Sequence, residues 1–81
     1  MNKLYEVRDC KWNKSENDKY EGSRVVNGLN EYVNVTKIND KYVVTIELEA
    51  CNGKRITHFN TTYRSICNLI DDLNNPNYLI G

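Results

Sequence analysis

The most constraining feature of the sequence is a run of alternating residues between two turn dipeptides. Every second residue from Tyr42 to Ala50 is apolar, which is the period of a half-buried β-strand. Asn39-Asp40 precedes this run and Asn52-Gly53 follows it, and such dipeptides favour tight hairpin turns. The pattern predicts a three-stranded antiparallel meander over about residues 30–38, 41–50 and 55–61.

The two turns also predict which residues lie opposite each other. Counting outward from them gives Val33–Ile46–Phe59 as one cross-strand row, and the next row adds Val35 and Val44. Directly opposed residues share a face of a sheet, so these rows predict the face that packs against the core. A slip of one residue would scatter the apolar side chains over both faces, so the agreement of the two turns supports this register.

The hydrophobic period changes after the third strand. Tyr63, Ile66, Ile70 and Leu73 are spaced as one face of a helix. We expect a C-terminal helix over about residues 62–74, with Thr61 or Thr62 as its N-cap and Asn74-Asn75-Pro76 as its end. The chain is thus predicted to be one α+β domain over residues 1–81. It has an antiparallel sheet of three to five strands and one helix packed on one face.

The first part of the chain carries weaker patterns. Residues 3–7 alternate enough for a short strand, residues 8–24 are polar and indicate a long loop, and residues 23–26 favour a further short strand. A loop of this length in a small domain is often a binding loop. We expect its two large aromatic side chains, Trp12 and Tyr20, to attach it to the core or to contact a partner.

Charge and hydropathy argue against several classes of protein. Eleven basic and eleven acidic residues give a net charge of zero, whereas a nucleic-acid-binding domain usually carries a basic excess. No apolar run reaches the roughly 18 residues of a membrane helix, and no apolar leader follows Met1. We therefore expect an intracellular, cytoplasmic protein without membrane contact.

The three cysteines, Cys10, Cys51 and Cys67, form an odd and widely spaced set. Secreted chains of this length usually carry an even, dense set, so we expect reduced thiols that pack as small apolar side chains. Together with His58 they make a formal Cys₃His set. Structural zinc sites pair their ligands about two to four residues apart, and no pair here has that spacing. The sequence predicts no metal, no cofactor and no catalytic residue.

The face opposite the predicted core carries the most distinctive polar row. The register places Glu47 between Tyr32 and His58, the only histidine. This row favours a hydrogen-bonding surface for a partner, with Tyr32 as an aromatic contact. An ordinary solvated sheet face with favourable cross-strand pairs explains the same residues. An acid–base couple of Glu47 and His58 is disfavoured, because a flat sheet offers no cleft that would shift their pKa values.

These observations favour a small non-enzymatic protein-binding module, with Tyr32, Glu47, His58, Trp12 and Tyr20 as its contact residues. Many Asn, Lys, Ile and Tyr with few Pro and Ala are typical of AT-rich genomes, and small neutral domains from such sources are similar in type to phage accessory proteins. We therefore interpret the chain as a phage- or mobile-element-encoded inhibitor that occludes a host protein.

Two alternatives stay open from the sequence. A nucleic-acid-binding module would use the sheet face or the loop over residues 8–24. A homodimer would form through an edge strand or through the apolar tail at Tyr78-Leu79-Ile80, which is also apolar enough to fold back onto the domain.

Overall fold

The computed structural model describes residues 4–75, apart from the side chains of residues 14–16, as a five-stranded antiparallel sheet with one helix against one face. The strands are β1 (Lys11–Glu16), β2 (Lys19–Val26), β3 (Leu29–Ile38), β4 (Lys41–Glu49) and β5 (Arg55–Tyr63), and the helix is α1 (Ile66–Asn74). The strand order in the sheet is the order in the chain, so every connection is a hairpin. The predicted α+β class, antiparallel sheet and C-terminal helix are confirmed. The predicted contact of the tail at residues 78–80 lies outside the described residues.

The core lies between the sheet and α1. The buried apolar residues come from a 3₁₀ turn at Leu4–Glu6, from the residue that follows it, from the two central strands and from one face of α1; they are Leu4, Val7, Val33, Val35, Val44, Ile46, Leu69, Ile70 and Leu73. The sheet side that contacts α1 is called the helix face, and the opposite side the outer face. The predicted row Val33–Ile46–Phe59 lies on the helix face, which confirms that part of the register.

The segment predicted as a loop over residues 8–24 is instead most of a β-hairpin made of β1 and β2. Apart from Trp12, β1 carries no apolar residue, so its sequence gives no alternation to detect. The pairing is favoured by packing, since Trp12 lies opposite Gly22. A Cβ atom at Gly22 would come within 2.9 Å of the Trp12 ring and 2.6 Å of the Cys10 sulfur, so this close approach requires glycine.

The N-terminal strand predicted over residues 3–7 is also wrong, because the 3₁₀ turn takes its place. The amide of Val7 donates to the carbonyl oxygen of Leu4 at 3.0 Å, and both side chains are buried. Two buried residues three positions apart face the same direction in a helical turn and opposite directions in a strand.

The connection between β4 and β5 differs from the predicted two-residue turn. The chain turns over residues 50–54, where Gly53 has a φ of 83° and its amide donates to the carbonyl oxygen of Ala50. This longer loop shifts the register by one residue, so Glu47 lies opposite Thr57 and not opposite His58. A β-bulge at His58 then restores the register, and Phe59 returns to the helix face opposite Ile46.

The helix begins later than predicted. Thr61 and Thr62, the predicted N-caps, pair with Val44 and Val43 and extend β5 to Tyr63. Ser65 is the N-cap, and its hydroxyl oxygen accepts a hydrogen bond from the amide of Cys67 at 3.2 Å. The sheet pairing of residues 61–63 outweighs the local capping preference of the threonines.

Candidate protein-binding face

The outer face is not covered by any described element, because α1 lies on the other side of the sheet. Its side chains are mostly polar, as expected for an antiparallel sheet with one solvated side. The outer-face residues at and around Tyr32 come from β2 to β5; they are Ser23, Val25, Asn30, Tyr32, Asn34, Glu47, Glu49 and Arg55.

Four of these side chains form a connected group, here called the Tyr32 cluster: Asn30, Tyr32, Glu49 and Arg55. The Tyr32 hydroxyl donates to one Glu49 carboxylate oxygen at 2.9 Å. The Asn30 side-chain amide donates to the other at 3.0 Å. The Arg55 guanidinium lies over the Tyr32 ring, 3.7 Å from its centroid, in a cation–π contact. Three strands therefore hold one aromatic ring in a defined position on an open surface.

The hydrogen bonds also set the charge state of the cluster. Donation from Asn30 and then from Tyr32 lowers the pKa of Glu49, because both bonds stabilise the carboxylate. The same bond to Glu49 raises the pKa of Tyr32, because it stabilises the protonated phenol. At neutral pH Glu49 is ionised and Tyr32 is a neutral donor, so the cluster keeps one arrangement.

A shallow depression of about 320 Å³ lies beside the cluster, between the start of β1 and the end of β2. It exists because β1 begins opposite Ser23, so β2 continues past it without a neighbouring strand. Val25, which is 64% exposed, lies in its wall next to Tyr32, with Asp9 and Lys11 also lining it. The depression offers space for a side chain of a partner next to the fixed ring.

The structure brings together some of the predicted contact residues. Tyr32 and Glu47 are opposite each other on the outer face, as predicted. The side chain of Glu47 accepts a hydrogen bond from Asn34 at 3.4 Å, while the Tyr32 hydroxyl bonds to Glu49. The prediction that His58 is the third member of this row is wrong, because His58 occupies the bulge and Thr57 lies opposite Glu47.

The two aromatic residues of the predicted loop do not join Tyr32. Trp12 and Tyr20 are half-buried on the helix face and pack against the core. The indole nitrogen of Trp12 is buried and makes no hydrogen bond to a described residue. These side chains therefore attach the β1–β2 hairpin to the core, which was one of their two expected roles. They lie on the side of the sheet opposite Tyr32.

Sequence reasoning missed the partners that hold Tyr32. The register already placed Asn30 opposite Glu49, and both carry groups that hydrogen-bond with a phenol or with each other. The sequence did not allow the contact of Arg55 with Tyr32 to be predicted, because the position of Arg55 opposite Glu49 depends on the longer β4–β5 loop.

The cysteines only partly match the expectation of buried packing residues. Cys10 is half-buried against the core, whereas Cys51 and Cys67 are exposed, so the expectation is wrong for these two. Burial raises the pKa of the Cys10 thiol to about 11, which keeps it protonated at neutral pH and a poor nucleophile. Among the side chains that the structure describes, no three from Cys, His, Asp or Glu converge as metal ligands. No helix within residues 4–75 is long and apolar enough to cross a bilayer.

The chain matches no family model, and comparisons with curated proteins and with solved structures find no significant match. The geometry of the outer face is therefore the basis for a functional proposal.

Proposed function

We propose that this domain is a non-enzymatic protein-binding module that uses its outer face. The observation that carries the proposal is the Tyr32 ring, held on an uncovered sheet by Glu49 and Arg55. Tyrosine and arginine are enriched among the residues that dominate binding energy at protein interfaces. Fixing a side chain on binding costs about 0.5–1.5 kcal/mol, and a ring that is already fixed avoids most of that cost.

The proposed biological role is occlusion of a protein partner, as in an inhibitor encoded by a phage or mobile element. This role is supported by the small size and zero net charge of the domain, and by an amino-acid composition that is typical of AT-rich genomes. The zero net charge of the chain weighs against nucleic acid, and Glu47 and Glu49 on the outer face would repel phosphates.

The test compares capture of proteins from a low-GC bacterial lysate by four tagged forms of the domain. These are the wild type, Tyr32→Ala, Arg55→Ala and Asn60→Ala, the last an exposed position elsewhere on the outer face. A partner captured by the wild type should bind at least about tenfold more weakly to Tyr32→Ala, because a residue that dominates an interface contributes about 2 kcal/mol or more. Arg55→Ala should weaken binding in the same direction, and Asn60→Ala should bind as the wild type does.

Circular dichroism checks that each variant is folded. Equal capture by all four forms would show that the Tyr32 cluster is not the contact. Recovery of nucleic acid without protein, with an affinity that falls steeply with salt, would replace the proposal by the nucleic-acid alternative.

A further inference from the structure

The last three residues of β2 form an open strand edge within the described part of the chain. The pairing of β1 with β2 ends at Ser23, whereas the pairing of β2 with β3 continues to Val26. Asp9 would lie opposite Val25 if β1 extended further, but its φ of 57° turns the chain out of the strand. Residues 24–26 therefore have a neighbouring strand on the β3 side only.

The hairpin between β2 and β3 determines where the backbone of Val25 points. Asn27 and Gly28 have φ values of 52° and 78°, as in a two-residue type I′ turn. The residues that flank such a turn, Val26 and Leu29, form a hydrogen-bonded pair, and bonded and non-bonded pairs alternate along an antiparallel ladder. Val25 belongs to the next, non-bonded pair, so its amide N–H and carbonyl oxygen point away from β3 toward the open edge.

The open edge at Val25 matches an extended polypeptide. Within residues 4–75, the β1 ladder ends before Val25, and no turn or loop residue forms a backbone hydrogen bond with it. One donor and one acceptor on the same edge residue match those of an extended chain, which is how a strand is added to a sheet. Arg24 does not guard this edge by its charge, because its side chain is buried in the ion pair with Glu31.

The depression beside this edge indicates which side chain such a segment carries. Directly paired residues share a face, so the residue opposite Val25 lies on the outer face. There it meets the exposed Val25 side chain and, across the small Ser23, the Tyr32 ring, and all three line the depression of about 320 Å³. Asp9 and Lys11 add one charge of each sign to the lining, so it favours a large apolar side chain over a charged one.

We infer that the open edge of β2 binds an extended segment of a protein partner by strand addition, with a large apolar residue opposite Val25. The segment lies in line with β1, where β1 leaves β2 without a neighbour. This inference rests on the proposed function and adds the manner in which the partner is recognised. Three residues make a short edge, so the same partner also contacts the Tyr32 cluster beside it.

The experiment selects a random decapeptide display library on the immobilised full chain. The expected enrichment is a large apolar residue within a stretch that lacks proline. Synthetic copies of one enriched peptide then carry a single N-methyl group at each position in turn. A strand-paired peptide should bind at least about tenfold more weakly when the N–H that faces Val25 is methylated, and nearly normally when either neighbouring N–H, which points away, is methylated.

Val25→Pro is the matching change in the domain. Proline removes the N–H at the open edge but no bond of the β2–β3 ladder, so the fold should tolerate it. The selected peptide should bind this variant at least about tenfold more weakly, because its carbonyl oxygen loses a donor and the proline ring occupies the edge. Val25→Thr is the matched control, since it keeps the backbone N–H and the branched side chain, and its loss should be much smaller.

Circular dichroism verifies that each variant is folded, and the N-methyl series decides alone if Val25→Pro is not. The inference is overturned if no peptide is enriched, if every N-methyl position is tolerated, or if folded Val25→Pro binds as the wild type does. It is also overturned if the wild type is a dimer by light scattering and Val25→Pro is a monomer, since a second copy would then occupy the edge. Loss of partner capture in Tyr32→Ala with normal capture by Val25→Pro would remove this inference and leave the proposed function standing.

Discussion

Arg24 and Glu31 place opposite charges between the sheet and the helix. The Arg24 Nε donates to a Glu31 carboxylate oxygen at 2.6 Å, and Arg24 Nη1 donates to the carbonyl oxygen of Leu73 at 2.6 Å. Glu31 has no exposed surface. The guanidinium thus balances a buried carboxylate and also meets the negative end of the helix dipole. This pair therefore connects β2 and β3 to the end of the helix.

Removal of one member of this pair should be strongly destabilising. Glu31→Leu leaves the Arg24 charge buried without its carboxylate, which typically costs about 3–5 kcal/mol. A domain of this length has a total stability on the order of 4–12 kcal/mol, so the variant should be close to unfolding. Urea unfolding followed by the fluorescence of Trp12 measures the loss.

The double variant Arg24→Met/Glu31→Leu separates the charge effect from packing. It should be more stable than Glu31→Leu alone, because neither charge of the pair remains buried without the other, although the bond to Leu73 is lost. A double variant that is less stable than Glu31→Leu would show that the two charges are not the main coupling between these residues.

Cys10 should make the stability of the domain depend on alkaline pH. Burial raises its pKa to about 11, whereas a cysteine in the unfolded chain has a pKa of about 8.5. The stabilisation that depends on the protonated thiol is complete below about pH 8.5 and is lost as the pH rises toward 11. The free energy of unfolding of the wild type should therefore fall relative to that of Cys10→Ala across this window. Urea unfolding at pH 8, 9.5 and 11 provides the comparison, and a constant difference between the two proteins would contradict it.

At the scale of elements, the start of α1 shows how sheet pairing competes with local capping. Thr61 and Thr62 have side chains suited to an N-cap, but their backbone groups belong to β5. Ser65, two residues after the strand ends, accepts the bond from Cys67 instead. The helix consequently begins where the sheet ends.

Ser65→Ala should destabilise the domain by about 1 kcal/mol, because the first turn of α1 loses its only described side-chain cap. Thr62→Ala is the control, since residue 62 is exposed on the strand and the change should cost clearly less. Thermal unfolding of the two variants distinguishes the two N-cap assignments. A larger loss for Thr62→Ala than for Ser65→Ala would favour the cap predicted from the sequence.

The β4–β5 hairpin shows a second competition at this scale. The loop over residues 50–54 shifts the strands by one residue, which by itself would point Phe59 away from the core. The bulge at His58 corrects the shift before Phe59. The shift before the bulge places Arg55 opposite Glu49 and over Tyr32, so the loop determines that Arg55 belongs to the Tyr32 cluster.

At the scale of the whole molecule, the domain is a sheet that one short helix covers only in part. Its principal extents are 36 × 25 × 20 Å. The Tyr32 cluster on the outer face lies at the β4–β5 end. The variants at Tyr32 and Arg55 therefore test this end of the sheet.

The sequence by itself determined the parts of this protein that depend on local pattern. The alternation of β4, the dipeptide Asn39-Asp40, and the helical spacing of Ile66, Ile70 and Leu73 predicted the meander, the β3–β4 register and the face that α1 covers. These features follow from the side-chain period and from a turn residue that tolerates positive φ, as Asn39 does.

Only the tertiary structure decided the features that depend on pairing between distant residues. The β1 strand forms because Trp12 packs over Gly22, and the sequence of β1 has no alternation that would predict this contact. The Tyr32 cluster includes Arg55 because the β4–β5 loop shifts the start of β5 by one residue. In each case the physical reason is that burial and pairing energy across the sheet outweighs the weak preference of the local sequence.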